Sequence, residues 1–143
     1  MDILIDFDGT CVVHDFPNVS PYDIGAEKVL KELVREGNRL ILFTMRADRK
    51  LKCPTHDESI LDVTGAFLTD AVKWFEDRGI ELYGVQKNPT QHHWTTSPKA
   101  YGHLMIDDSA VGCPLTYDTK FERPYVNWKA VRRILKKQGL IKK

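Results

Sequence analysis

Acidic and hydroxyl residues gather where apolar stretches end. The apolar residues 3–5 lead into Asp6-Phe7-Asp8-Gly9-Thr10, residues 40–43 lead into Thr44, and residues 104–106 lead into Asp107 and Asp108. If each apolar run is a strand, alternation along the first sends Asp6 and Asp8 toward one reaction centre while Phe7 turns into the packing. Two carboxylates placed in this way can share a group transfer. One attacks phosphorus, the other supplies and removes a proton, and Gly9 lets the backbone turn close to the substrate. Four carboxylates in one crevice repel each other and are costly to desolvate unless a divalent cation holds them. An all-oxygen donor set favours Mg²⁺.

The elements that must position these groups fit a single domain, because 143 residues suffice for one core of ordinary size and not for two. Hydrophobic residues at 42% and charged residues at 29% exclude a disordered or fibrous chain. No apolar run approaches the roughly 18 residues of a membrane span. The first run is cut short by Asp6, so neither signal peptide nor anchor is expected and the expected location is the cytoplasm. Cys11, Cys53 and Cys113 form no Cys-x-x-Cys pair, which points to reduced thiols and away from structural zinc. From Lys129 onward the chain carries seven basic residues and no acid, and removing those seven from the net charge of +1 leaves an acidic body of −6. A solvated basic helix face accounts for such a tail more simply than a nucleic-acid or membrane contact.

Residues 1–7 read as a buried strand. Ser20, Pro21 and Asp23 resemble an N-cap, a first-turn proline and a capping acid, and Ala26, Val29, Leu30, Leu33 and Val34 then share one helical face as far as Gly37. Residues 39–43 are the next strand. Residues 47–65 form a long excursion without a sustained period, and Leu68, Ala71, Val72 and Phe75 mark a second helix that stops at Gly79. Residues 80–85 and 104–106 are further strands separated by the polar loop 88–98, and Asn127 caps a last helix with Trp128, Val131 and Leu135 inward. Strands joined through helices make a parallel sheet, and ligands bind beyond the carboxyl ends of such strands.

Other chemistries lack their residues. An EF-hand beginning at Asp6 needs its mid-loop Gly at Cys11 and its terminal Glu at Pro17. A receiver-type signalling domain places its acid pair on the first strand and its Lys on the last, the reverse of the order here. Neither the Gly-x-x-x-x-Gly-Lys nor the Gly-x-Gly-x-x-Gly phosphate loop occurs. His14, His56, His92, His93 and His103 show no zinc spacing; His92-His93 reads as an exposed loop pair, and substrate contact at the rim is the leading functional role for these histidines. Trp74, Trp94 and Trp128 are packing residues by default, with Trp94 also able to stack on a base or sugar. Arg46 has two equally weighted readings, a clamp on a second anionic group and a surface ion pair.

Asp6-Phe7-Asp8-Gly9-Thr10, Thr44, a lysine ahead of the last strand and Ile106-Asp107-Asp108 resemble, in order, the four motifs of the haloacid dehalogenase (HAD) superfamily. The segments Leu40-Ile41-Leu42-Phe43-Thr44-Met45-Arg46 and Leu104-Met105-Ile106-Asp107-Asp108 are most similar to its small members without a cap domain. The resemblance implies a Rossmann-like α/β three-layer sandwich around a central parallel sheet, Mg²⁺ dependence and an aspartyl-phosphate intermediate. It assigns Asp6 as nucleophile, Asp8 as general acid and base, Thr44 as a donor to the phosphoryl oxygens and Lys99 as the cation that neutralises them, with Lys87 as a competing candidate. Asp107 and Asp108, the Asp6 side chain and the Asp8 carbonyl would hold Mg²⁺, while Gly9, Thr10, Met45 and Arg46 would contact substrate.

Residues 11–19 and 88–98 are too short to hold a cap domain. The expectation is one domain over residues 1–143 with at most small flaps at 11–24 and 47–65, and an open site. Open sites admit bulky phosphoesters, including phosphorylated nucleic-acid ends, as well as small nucleotides and sugar phosphates. The expected activity is Mg²⁺-dependent phosphomonoester hydrolysis without a membrane partner. Phosphoryl transfer to an acceptor hydroxyl is the first alternative. A non-catalytic phosphate-binding module is the second, disfavoured because a binder does not need the proton of Asp8.

Overall fold

The computed structural model describes residues 1–52 and 62–143. Cys53, His56 and the rest of residues 53–61, the middle of the expected 47–65 flap, lie outside the described residues. In chain order the elements are β1 (Asp2–Ile5), α1 (Ala26–Arg35), β2 (Arg39–Leu42), β3 (Asp48–Arg49), β4 (Gly65–Ala66), α2 (Phe67–Asp77), β5 (Leu82–Val85), a 3₁₀ turn (Gln91–His93), β6 (Leu104–Ile106), β7 (Leu115–Thr116), β8 (Tyr125–Val126) and α3 (Trp128–Lys137).

Four of these strands form one parallel sheet in the order β5-β2-β1-β6, with Ile5 opposite Leu42 on one side and Ile106 on the other. All of β1 is buried, as a strand covered on both faces must be, which explains why its sequence is an uninterrupted apolar run after Asp2. The fold is therefore α/β and Rossmann-like with three layers. Ile3, Ile5, Leu40 and Leu42 face one core shared with Leu30 and Leu33 of α1, Phe75 of α2 and Leu135 of α3, so all three helices cover the same side. Leu4 and Ile41 face the other way onto Ala100, with Phe43 and Tyr83 alongside. The third layer is thus the connection from β5 to β6, which crosses the sheet with only the 3₁₀ turn as regular structure. Gly102 lies in this layer where a Cβ would come within 2.9 Å of Leu4 Cγ, so the close approach of chain to sheet needs glycine there.

Polar side chains fasten that layer. Asn88 Nδ2 donates to Asp2 Oδ2 at 2.8 Å, and Gln91 Oε1 accepts from the amides of Asn88 and Tyr101 at 3.0 and 2.9 Å. Although burial acts against ionisation, hydrogen bonds from Arg39 and Asn88 hold the Asp2 carboxyl below its ordinary range.

Two details differ from the sequence expectation. α1 begins at Ala26, well after Ser20, because Ser20 and Asp23 spend their side chains on the amides of Tyr22 and Gly25 in successive turns, and Gly25 at φ 91° stands outside the helix. The hairpin β7–β8 was not expected; Val126 Nα donates to the Gly9 carbonyl at 2.9 Å and ties the hairpin to the loop after β1. Among the described residues, no helix is long and apolar enough to cross a membrane.

Candidate active site

The chain moves from β1 through α1 to β2 on one side of β1, then returns through the third layer to β6 on the other side. The carboxyl ends of β1 and β6 therefore flank a topological switch point, where an open parallel sheet leaves a crevice. Asp6 follows β1, and Asp107 and Asp108 follow β6. These three residues each present a carboxylate oxygen, all within 4.8 Å of one another. A half-buried set of oxygen donors fits a hard divalent cation, so the cluster could hold a metal ion.

The cluster is electrostatically loaded. Burial, the charge of Asp107 and a hydrogen bond with Asp108 push the Asp6 pKa up to about 7, against the pull of a hydrogen bond from Thr10. Thr10 is fully buried and bridges the two strand ends, its Oγ1 donating to Asp6 Oδ2 at 2.7 Å and accepting from the Asp108 amide at 3.0 Å. Expected to touch substrate, Thr10 is instead enclosed and positions the two carboxylates, because α3 closes over it: Trp128 Nε1 donates to the Thr10 carbonyl at 2.7 Å. Thr10→Val keeps the shape and leaves both partners unpaired, so we expect a loss of about 1–3 kcal/mol in urea unfolding. A loss below about 0.5 kcal/mol would show that the hydroxyl does not brace the cluster.

Gly9 sits at φ +81°, and a Cβ there would overlap His14 Nε2 and Asp108 Oδ2. Glycine thus makes room for the hydrogen bond between His14 and Asp108, which spans 2.8 Å. His14, assigned from sequence only to the group of rim histidines, reaches the cluster itself.

Asp8 does not join the three carboxylates. The chain leaves β1 at Ile5, so strict alternation no longer holds at Asp8, whose Oδ2 and Oδ1 accept from Arg46 Nε and Nη2, both at 2.8 Å. Arg46 is only 2% exposed and also donates to the carbonyls of Asn18, Pro17 and Phe67. Its guanidinium lies between the rings of Phe7 and Phe16, 5.1 and 5.2 Å from their centroids. Arg46 is therefore neither a surface ion pair nor a free clamp for substrate. Every direction of its fork is occupied by the protein, and its partner is Asp8.

Gln86, which no motif singled out, holds the loop that carries Thr44 and Arg46. Its Oε1 accepts from the Thr44 amide at 2.9 Å and its Nε2 donates to the carbonyls of Thr44 and Arg46 at 2.6 and 3.2 Å. It does so at φ 65°, the left-handed region that costs a residue with a side chain about 1 kcal/mol or more. Thr44 Oγ1 accepts from the Arg46 amide at 3.1 Å. Met45, next to it, is 98% exposed.

The two candidate lysines lie at opposite ends of the sheet. Lys99 is exposed, and its carbonyl accepts from Gln91 Nε2 at 3.1 Å, within the network that reaches Asp2 at the opposite end of β1. Lys87 is also exposed, but it follows Gln86 at the carboxyl end of β5, the end of the sheet that carries the acidic cluster. Among the described residues, no lysine pairs with Asp6, Asp107 or Asp108. Cys11 lies beside the site, but burial together with the charges of Asp6 and Asp8 pushes its thiol well up, so it is a packing residue and not a nucleophile. Trp74 and Trp128 are buried as expected, whereas Trp94 is exposed and packs edge-on against Tyr101.

Fold and site together define an α/β protein with an acidic, oxygen-only cluster at the switch point of a parallel sheet. A scan of family models gives no match, nor does a search of curated proteins. Among solved structures, that of a conserved protein coded by a locus of Bacteroides thetaiotaomicron is similar, with 31% sequence identity and a TM-score of 0.68 over 96% of this chain and 91% of that one. The chain belongs to the same family as that protein.

Proposed function

We propose that the chain is a Mg²⁺-dependent phosphomonoester hydrolase of the HAD type, with Asp6 as the nucleophile. The observation that carries this reading is the meeting of Asp6, Asp107 and Asp108 within 4.8 Å at the switch point, with Asp6 braced by Thr10. Asp6, Asp107 and Asp108 would hold the cation, and when bound it supplies charge neutralisation for the carboxylates and for a phosphate dianion.

The remaining work falls to the protein. An oxygen of Asp6 attacks phosphorus as the bond from phosphorus to the ester oxygen breaks, and the departing oxygen takes a proton from Asp8. Asp8 then removes a proton from water, which attacks phosphorus and releases phosphate and the Asp6 carboxylate. The fork of Arg46 takes one hydrogen bond at each Asp8 oxygen, so a lone pair left free takes up the proton of the first step from solvent and returns the proton gained from water there after the second. The Thr44 hydroxyl, whose oxygen accepts from the Arg46 amide, keeps its own proton to donate to a phosphoryl oxygen at this end of the sheet.

Hydrolysis of phenyl phosphate with Mg²⁺, with EDTA and with Asp6→Asn tests the reading. Release of phosphate that depends on the metal and is lost in the variant is expected. Turnover undiminished by Asp6→Asn would overturn the covalent mechanism, and no turnover of any phosphomonoester in a broad panel would overturn the hydrolase assignment.

A further inference from the structure

The hydrolase reading leaves the body of the substrate unassigned, and a cavity of about 540 Å³ is joined to the acidic cluster through His14. His14 joins the two, lining the cavity while its Nε2 lies 2.8 Å from Asp108 Oδ2. The opposite wall comes from the loop of the β7–β8 hairpin, the element that the sequence did not announce. The volume is in the range of sites that enclose a small organic ligand.

The lining has two parts. Phe16 and Phe121 supply flat apolar surface. Phe16 is 42% exposed and is braced by Phe67 at 5.1 Å and by the Arg46 guanidinium, while Phe121 is braced by Tyr22 and Tyr125 at 5.0 and 5.9 Å. Rings fixed by their neighbours lose little freedom when a planar group packs on them. The second part is charged and balanced: Lys120 and Arg123 against Asp15 and Glu122. Among the described residues none of these four forms an ion pair. A lining with no net charge does not select a second phosphate. It does offer carboxylates that accept from hydroxyls or exocyclic amines, and cations that donate to ring nitrogens and carbonyls, the groups found on the edge of a nucleobase and on a ribose.

We propose that this cavity receives the nucleoside part of a nucleoside monophosphate whose phosphate lies at the Asp6, Asp107 and Asp108 cluster. The placement of the phosphate rests on the hydrolase reading, whereas the placement of the nucleoside rests on the cavity alone. That separation defines the experiment.

Adenosine, which carries no phosphate and needs no metal, is titrated into the ¹⁵N-labelled full chain, with ribose as the comparison. Saturable shifts at His14, Phe16, Phe121 and Arg123 are expected, with a Kd of about 1 mM or tighter for adenosine and at least about tenfold weaker for ribose. Arg123→Ala, an exposed position, should weaken adenosine about threefold or more; Phe121→Ala should do so more strongly if it folds. With Mg²⁺ present, kcat/KM for adenosine monophosphate should exceed that for methyl phosphate by about tenfold or more, and Arg123→Ala should narrow that ratio. Adenosine shifts that do not saturate, that lie elsewhere, or that ribose matches overturn the nucleoside site. A preference for the nucleotide that Arg123→Ala leaves intact overturns it as well. Saturable adenosine binding at these residues without turnover of any phosphomonoester supports the nucleoside site and overturns the hydrolase reading instead.

Discussion

Asp6→Asn is expected to lower phosphatase turnover by at least about a thousandfold, because the amide has no carboxylate oxygen to attack phosphorus. The same substitution is expected to stabilise the metal-free protein at neutral pH. Burial and the neighbouring acids raise the pKa of Asp6 from 3.8 to about 7, so the folded state holds this proton more tightly than the unfolded chain does. The stabilisation that Asp6 contributes is complete below the unfolded value and is lost as pH rises through about 7. An asparagine has no proton to lose. The variant and the wild-type protein should therefore melt together near pH 4, and the variant should melt higher at pH 8, by about 5 °C. Mg²⁺ should close that gap by stabilising the wild-type protein at pH 8. Scanning calorimetry from pH 4 to pH 8, with and without Mg²⁺, measures all of this. A melting difference that does not change with pH would show that Asp6 carries no strained charge.

Arg46→Ala is the second large effect. The substitution removes both partners of the Asp8 carboxylate and the donors to the carbonyls of Pro17, Asn18 and Phe67 in a site where the arginine is 2% exposed. Asp8, whose side chain is 18% exposed, is left without its cation and three carbonyls without a donor, at a cost of about 2–4 kcal/mol. Arg46→Lys should recover only part of it, because an ammonium cannot reproduce a planar fork that spans both Asp8 oxygens. Urea unfolding of the two variants in EDTA reads the effect without involving turnover. If Arg46→Ala cost less than about 1 kcal/mol, Arg46 would not be the tie between the loop after β1, the end of β2 and the start of α2.

The sheet could be read from the sequence because its strands are buried on both faces and so are continuous apolar runs, each ending at the polar residue that enters the crevice. The same runs place Asp6, Asp107 and Asp108 at the ends of their strands from the sequence alone. The start of α1 was not readable in the same way, since Ser20 and Asp23 cap a helix or close a turn with the same side-chain oxygens. The role of Arg46 was hidden for a different reason. Whether an arginine faces solvent or a buried carboxylate depends on what packs over it, and Phe16, Pro17 and Asn18 come from a segment whose path sequence periodicity does not define. Gln86 carried no signal at all, because its hold on Thr44 and Arg46 depends on a left-handed backbone at one position. Lys99 shows the limit of arguing from separation along the chain: eight residues can reach the crevice, but Gln91 holds the Lys99 backbone at the far end of β1.

The third layer gives the molecule two tiers of cooperativity. Three helices share one large apolar core on one side of the sheet, while on the other side the chain from β5 to β6 is held by a small cluster around Ala100 and by the amide side chains of Asn88 and Gln91. A segment secured chiefly by polar contacts can open at a fraction of the free energy of global unfolding and form its own unfolding unit. Gln86 stands at the start of that segment and grips the loop bearing Thr44 and Arg46. Each such opening would release the loop that bears Thr44 and Arg46 while leaving Asp6, Asp107 and Asp108 on intact strand ends, so the two sides of the crevice would open independently of each other.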